Sequence, residues 1–542
     1  MPHDTIGARL LRFAASQPDA PALRYRPGKS GPLTLSYREF AEMARRAAAH
    51  LRHVGLVAGD RVAILAENSP EWVALDFGCT LGGFVSVPIY PTMTAEQVAY
   101  IVHDCGAKCV VWHGDELREK CPDDVATVAM ADCFVTAAPA DFSPETGAAD
   151  DLATIIYTSG TTGNPKGVCL SHHAFLHCAD VIPSALPIDG RDTFFAFLPL
   201  SHVYGRVNGV HLPIGMGGCV ALARNLASIA DDLAALQPHV MLCVPRFLEA
   251  FASRIDYAVA KQSPLRQRLF HLAMAAGWAK AQGRFSPLHP LLDALVLAKV
   301  RQRLGGQFRY FVSGGAALPA RTAQFYRSLG LTVLQGFGLT ETAGATHVNH
   351  PDRNDPASVG EALPGIETRI DPDGEILLRG PSIMSGYFGQ PDATTQVLDA
   401  DGWFRTGDIG RLDRGRLWIT DRKKDLLVLA NGKNVAPQPI ENKLKESPYV
   451  AEAVVFGDNL DHCIALIVPD FERLKHENLE AAAIVKAVVD EVNRKLADYE
   501  RVRKFAIAPA AFSIEGGELT PTMKVKRKAV WAKYESQLAP LA

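Results

Sequence analysis

Little in this sequence points to an oxidising compartment, a membrane span or a nucleic-acid partner. Ten cysteines are scattered over 542 residues without one CxxC pair. That argues against a disulfide framework or a zinc site and for free thiols in a reducing compartment. No apolar run approaches the ~20 residues of a transmembrane helix, and the opening MPHDTIGARLLRFAASQP is too polar for a signal peptide. Neither sign of charge dominates: 56 Lys and Arg face 59 Asp and Glu, a net of −3, so no basic footprint for nucleic acid is present. Internal repeats and long low-complexity tracts are absent. A cytoplasmic protein with at most peripheral membrane contact is expected. What remains is ordinary globular composition, 48% hydrophobic and 21% charged, in a chain too long for one core.

Two familiar nucleotide signatures also fail. Residues 154–170 read TIIYTSGTTGNPKGVCL: an apolar run, a loop of small residues with one lysine, and a second apolar run. That is the grammar of strand, tight loop and strand. A Walker loop needs GxxxxGK[ST], but counting from Gly160 the second glycine is Pro165, and Gly167 follows Lys166 where Ser or Thr belongs. The loop is nonetheless built for polyphosphate. Gly160, Gly163 and Gly167 let the backbone approach a ligand, Thr158, Ser159, Thr161 and Thr162 offer hydroxyls, and Lys166 adds a compact charge. A flexible Ser/Gly/Thr hairpin is the plain alternative. In VLQGFGLTETAG (333–344) the dinucleotide pattern GxGxxG is likewise incomplete, since Glu341 stands at the third glycine.

Around this loop, strand and helix signals alternate. Ser36 and Glu39 form a capping box before a helical repeat of Phe40, Met43, Ala44, Ala47 and Leu51, and Gly55 stops it. RVAILAEN, VSVPIYPTM and KCVVWHG read as strands, SPEWVALDFGCTLGGF and AEQVAYIVHDCGA as helices, and Ser171 as the cap of a helix at HHAFL. This alternation predicts a largely parallel sheet covered on both faces. FFAFLPLSHVYGRVNGV (194–210) reads as a strand entering a loop that carries His202 and Tyr204. Residues 246–308 read as two or three helices rich in Ala, Leu and Arg: a structural insertion, a wall lengthening an interior tunnel, or a surface for membrane contact. Residues 374–412 read as short strands and turns of a small β-rich subdomain. After the charged run Asp421–Asp425, a compact α+β domain follows.

The stretch YTSGTTGNPKGV closely resembles the phosphate loop of the adenylate-forming superfamily, which comprises acyl-CoA synthetases, peptide-synthetase adenylation domains and luciferases. GFGLTE, TGD, DRKKD and the tail ELTPTMKVKRK follow in that family's order. The tail is closest to long-chain fatty acyl-CoA synthetases. The resemblance implies an α/β fold: a large N-terminal domain (1–421) of parallel-rich sheets sandwiched by helices, a hinge (422–425), and a smaller mobile α+β lid (426–542). It implies ATP, Mg²⁺ and coenzyme A, with loop 158–166 on the β and γ phosphates. Gly314, Gly315 and Ala316 would take the adenine, with Gln335, Gly336, Phe337 and Gly338 also at the nucleotide; the family more often has tyrosine at the Phe337 position. Thr340 would meet a phosphate and Glu341 would hold Mg²⁺. Asp408 and Arg422 would sit at the ribose, Lys424 at the pivot, His202 beside the acyl pocket and Gly432 on the pantetheine tunnel. Lys524 would bridge carboxylate and α-phosphate. The implied reaction is activation of a medium- to long-chain fatty acid and its transfer to coenzyme A. Delivery to an acyl carrier protein, action on a hydroxy or aryl acid, and a non-catalytic adenylate sensor are the alternatives; a sensor has no need to retain every catalytic group.

Overall fold

In the computed structural model, residues 4–28, 30–145, 147–158, 164–431, 433–520 and 523–542 are described. The alternating signals build two sheets in the N-terminal domain. In the first, Leu152–Thr158, Val85–Ile89, Arg61–Leu65, Cys109–Trp112 and Ala126–Ala129 run parallel in that spatial order. Lys166–Ser171 then folds back antiparallel on Leu152–Thr158, with Thr158 opposite Lys166, and Gly386–Tyr387 closes the edge. The anticipated strand–loop–strand is therefore present, although its tip lies outside the described residues. Helix Pro70–Gly82 buries nearly every side chain, as a helix apolar all round its circumference must. Helix Tyr37–His53 carries the Ser36–Glu39 capping box, and Gly55 follows it at φ +97°.

The second sheet hangs on one long strand, Thr332–Leu339. On one side it runs parallel to Tyr310–Ser313, followed by Val240–Cys243, Thr193–Ala196, Cys219–Leu222 and Pro21–Tyr25. On its other side it pairs antiparallel with Gly344–Val348. The β-rich strands Glu367–Ile370, Glu375–Arg379, Phe404–Asp413 and Arg416–Arg422 continue from there. The β-rich part is thus joined to the parallel sheet through a shared strand. Helices Pro245–Ala260 and Pro264–Ala281, and a second helical stretch from His289 to Arg303, fill the region read as helical.

One stretch departs from expectation. Residues 204–211, read as loop, form a π-helical segment, Tyr204–His211, that continues into helix Leu212–Gly215. Its anchor is Arg206, fully buried and paired with Asp76, with further bonds to Thr154 Oγ1 (2.8 Å) and Ser86 Oγ (2.6 Å). A buried guanidinium has to reach all these acceptors or be left uncompensated, so the chain winds to suit it.

The smaller C-terminal domain centres on Val450–Phe456 and Cys463–Pro469, antiparallel, with Val502–Ile507 parallel to the latter. Its two apolar clusters use residues from Leu427 onward, and the main cluster of the larger domain ends at Leu417 among its buried members. All ten cysteines are free thiols, and nine of them are buried.

Candidate active site

Strand ends and turns from both domains converge on one place. Tyr310–Ser313 ends in Gly314 and Gly315. A Cβ at Gly314 would stand 3.0 Å from the Tyr204 ring, and Gly315 sits at φ +83°. Tyr204 is itself fixed by its hydroxyl, which donates to Val312 O at 2.7 Å. A flat, open backbone shelf results. Behind it, Gln335 is buried and its amide is committed to main chain: Oε1 accepts from Leu318 N at 2.8 Å, and Nε2 donates to Pro356 O at 2.5 Å. Gln335 thus braces the shelf. Phe337, placed at the nucleotide by the resemblance, is only 8% exposed and packs against His347, with ring centroids 6.1 Å apart.

Strand Thr332–Leu339 turns sharply at Thr340–Thr342. Gly338 makes the turn possible, since a Cβ there would lie 1.8 Å from Gly344 O. Thr342 Oγ1 accepts from Leu339 N at 2.9 Å and donates to Gly344 O at 2.8 Å, fixing the presentation of Thr340 and Glu341. Glu341 Oε1 accepts a hydrogen bond from Tyr387 at 3.0 Å, and the Tyr387 ring lies 4.9 Å beneath the Lys166 ammonium. Tyr387 was not singled out from the sequence. It ties the phosphate hairpin to the acidic turn, and the SGYFG run was the only local hint of it. Lone carboxylates suit Mg²⁺, which keeps waters and phosphate oxygens among its ligands; Glu341, with one oxygen steadied by a tyrosine, fits that pattern.

Asp408 and Arg422 are directly opposed cross-strand partners. Arg422 Nε donates to Asp408 Oδ1 at 2.9 Å. Asp408 is buried, and its Oδ2 has no hydrogen-bond partner among the described residues. A buried carboxylate oxygen left without donors costs ~1–3 kcal/mol, so this atom is free to accept from a donor. Burial raises the Asp408 carboxyl above its ordinary range, against the pull of Arg422 and Lys524.

Lys524 enters from the other domain. It lies opposite Thr520: Thr520 N donates to Lys524 O at 2.8 Å, Lys524 N to Thr520 Oγ1 at 3.0 Å, and Met523 adopts φ +64°. Just before it, Glu518 is held by Lys533 (2.5 Å) and the Tyr534 hydroxyl (3.1 Å). The Lys524 side chain reaches the shelf, where a Cβ at Gly315 would be 3.6 Å from its Cε. Burial lowers the Lys524 ammonium to about 8, with Arg422 and Lys424 pushing the same way and Asp408 and Glu341 opposing. His202 lies close enough to feel that charge. Burial and Lys524 press its imidazole down to about 3, and its Nδ1 accepts from Tyr204 N at 3.1 Å. It is a neutral ring at pH 7 and no acid.

The structure therefore gathers Lys166, Glu341, Asp408, Arg422, Lys424, Lys524, His202 and the Gly314–Gly315 shelf. Ser159, Gly160, Thr161, Thr162, Gly163 and Gly432 lie outside the described residues. Thr158 ends its strand next to Lys166. The C-terminal domain is docked by Arg246–Glu452 (3.2 Å) and Arg473–Asp256 (3.4 Å), both onto helix Pro245–Ala260.

The family model for AMP-binding enzymes matches residues 10–388, and the model for the AMP-binding enzyme C-terminal domain matches 424–541. The chain belongs to the AMP-binding, adenylate-forming enzymes. Its relatives include the long-chain-fatty-acid–CoA ligase FadD15 of Mycobacterium tuberculosis, 35% identical over 99% of this chain and 96% of the relative. The long-chain-fatty-acid–CoA ligase ACSBG2 of Rattus norvegicus is 31% identical over 96% and 90%. Among solved structures, ATP-bound MatB from Rhodopseudomonas palustris is similar at TM-score 0.78 and 26% identity, covering 98% of this chain and 99% of that one. A Mycobacterium tuberculosis fatty acyl CoA synthetase is similar at TM-score 0.68 and 25% identity, over the same shares. The adenylate-forming fold, with its large N-terminal and smaller C-terminal domain, is thus established for this chain. No helix among the described residues is long and apolar enough to cross a membrane.

Proposed function

We propose that this enzyme is an AMP-forming long-chain fatty-acid–CoA ligase acting in the cytoplasm. The observation that carries the reading is the seating of Lys524, from the small domain, among Glu341, Asp408, Arg422 and the Gly315 shelf of the large one. Activating a carboxylate needs no protein nucleophile. A carboxylate oxygen bonds to the α-phosphorus of ATP, the bond to the β-phosphate oxygen breaks, and pyrophosphate leaves. Positioning and charge stabilisation do the work. Lys524 holds a cation where the carboxylate and α-phosphate meet, Lys166 and the loop around it take the β and γ phosphates, and Thr340 donates to a phosphate oxygen. Asp408, with its unpartnered oxygen, accepts the ribose hydroxyls and Arg422 orients it. Glu341 would hold Mg²⁺, which when bound neutralises phosphate charge.

In the second half-reaction the thiol of coenzyme A attacks the acyl carbonyl and AMP departs. Lys524 then has to leave, so residues 422–425 serve as the hinge between 1–421 and 426–542, with Lys424 as pivot. The acyl class is supported by the names of the relatives and by a cluster of rings on and beside helix Pro245–Ala260. Phe197 and Phe247 are tilted against each other (4.8 Å between centroids), and Phe247 stacks near Phe251 (6.1 Å). No observation favours a carrier-protein acceptor or a non-catalytic sensor.

The test is thioester formation from ATP, Mg²⁺ and a ladder of fatty acids, with coenzyme A present or omitted, following AMP and acyl-CoA together. Turnover on long chains that requires coenzyme A is expected. Acyl-AMP that accumulates and ignores coenzyme A would move the reading to a carrier-protein ligase, and no adenylate from any acid would overturn it.

A further inference from the structure

The strand that carries the catalytic turn begins at a cavity the chemistry above does not use. Leu331 and Thr332, at the start of strand Thr332–Leu339, form one wall of it. The turn bearing Thr340 and Glu341 lies at the strand's other end, roughly 25 Å away at ~3.3 Å per residue. The cavity holds about 530 Å³, within the ~300–1,000 Å³ of small-molecule sites. Helix Pro264–Ala281, the stretch from His289 to Arg303, Arg327 and residues 351–354 supply the remaining walls. Two glycines set their spacing. A Cβ at Gly277 would lie 1.9 Å from Ser328 O, and Gly330, at φ +74°, leaves room for Arg301, whose Nη1 would be 3.3 Å from a Cβ there.

The lining is polar and carries unpaired cations. Arg301 is committed: it donates to both oxygens of Asp293, at 2.8 and 2.7 Å, and to Leu329 O at 2.8 Å. The Arg301 hydrogen bonds, and then the charges of Arg301, His289 and Lys280, hold the Asp293 carboxyl below its ordinary range. Asp352 also lines the cavity, but its side chain is 87% exposed and sits 3.7 Å from His350 Nδ1. Lys280 and Arg327 have no carboxylate partner among the described residues. Arg327 is nonetheless held in place: its Nη2 donates to Ala281 O at 3.0 Å, and its guanidinium stands 5.8 Å from the Trp278 ring centroid. Most of its five donors are left for a ligand. Asn354 supplies the opposite polarity. Its Nδ2 donates to Val333 O at 2.8 Å, while its buried Oδ1 has no partner among the described residues.

These groups define a ligand. A fixed guanidinium fork beside a compact ammonium suits a phosphate dianion. An amide oxygen lacking a donor, with a carboxylate beside it, suits hydroxyls. Only Ala281, Leu331 and Pro351 are apolar, so a hydrocarbon chain gains little, and no Phe, Tyr or Trp lines the cavity to stack a base. We propose that this cavity binds a small hydroxylated phosphate monoester, a polyol or sugar phosphate, with Lys280 and Arg327 on the phosphate and Asn354 Oδ1 on a hydroxyl. The proposal stands apart from the ligase reading, because its test measures binding and not turnover.

The experiment is isothermal titration calorimetry of the full chain with glycerol 3-phosphate and glucose 6-phosphate, and with inorganic phosphate and glucose as the two halves alone. One series contains saturating ATP and Mg²⁺ without any acid, which fills the catalytic nucleotide site. The thermal midpoint serves as the folding control. At least one of the two esters is expected to bind at one site per chain, equally with and without ATP, and more tightly than inorganic phosphate or glucose. Lys280→Ala should weaken that binding roughly tenfold with an unchanged thermal midpoint, the loss of one charge-assisted hydrogen bond. Arg327→Lys, which keeps the charge and removes the fork, should weaken it several-fold. Binding of neither ester would overturn the proposal, as would binding that Lys280→Ala leaves intact. Loss of binding in ATP would assign the phosphate to the catalytic site, and inorganic phosphate binding as tightly as the esters would leave a bare anion site; either result contradicts the proposal.

Discussion

Lys524 is a lysine asked to remain a cation in a place that disfavours cations. Burial and the neighbouring Arg422 and Lys424 lower it to about 8, and Asp408 and Glu341 recover only part of that. The sign follows directly. Below pH 8 the free enzyme holds the charged form, and above it the charge that stabilises the transition state is lost. The rate constant kcat/KM for adenylate formation, which reports the free enzyme, should therefore fall as pH rises through about 8. A profile of pyrophosphate release that stays level to pH 10 would contradict this. Tyr387 offers a second test at the same scale. Its hydroxyl steadies Glu341 at 3.0 Å, a bond worth about 1 kcal/mol. Tyr387→Phe should raise the Mg²⁺ concentration needed for half-maximal adenylation roughly fivefold, as read by a Mg²⁺ titration, with little change in the thermal midpoint.

Elements carry these residues, and the tightest is the strand and turn from Thr332 to Gly344. With 1.8 Å between a Cβ at Gly338 and Gly344 O, Gly338→Ala forces the turn open at a cost of ~1–3 kcal/mol. A lowered thermal midpoint together with a raised KM for ATP is expected. An unchanged midpoint would mean that the turn yields freely. Turns and caps of this kind are what a sequence can show. The hairpin of 154–170, the Ser36 capping box and the Ser171 cap are local patterns, and all three are present. Contacts across the chain were not legible. The π-helical Tyr204–His211 depends on an Arg206–Asp76 pair 130 residues apart, and Tyr387 meets Glu341 across 46. No spacing rule reaches that far. Gln335 is placed at the nucleotide by the family resemblance alone, and the bonds of its amide to main chain across 17 and 21 residues are of the same long-range kind.

For the whole molecule the question is how two domains share one lysine. Glu452 receives Arg246 from the large domain at 3.2 Å and Lys445 from its own at 3.0 Å. Glu452→Gln should weaken the docked arrangement and slow adenylation several-fold, leaving thioester formation from supplied acyl-AMP unchanged. Single-turnover assays of each half-reaction separate the two. Lys424→Pro, by stiffening the proposed pivot, should do the reverse, sparing adenylate formation and slowing the thioester step. The most direct measurement is Lys524→Ala assayed in both half-reactions. Adenylate formation should drop by roughly 10²–10³, the scale of a lost oxyanion donor, while thioester formation from supplied acyl-AMP and coenzyme A stays close to that of the intact enzyme. Equal loss of both steps would contradict the claim that Lys524 serves the first and departs for the second.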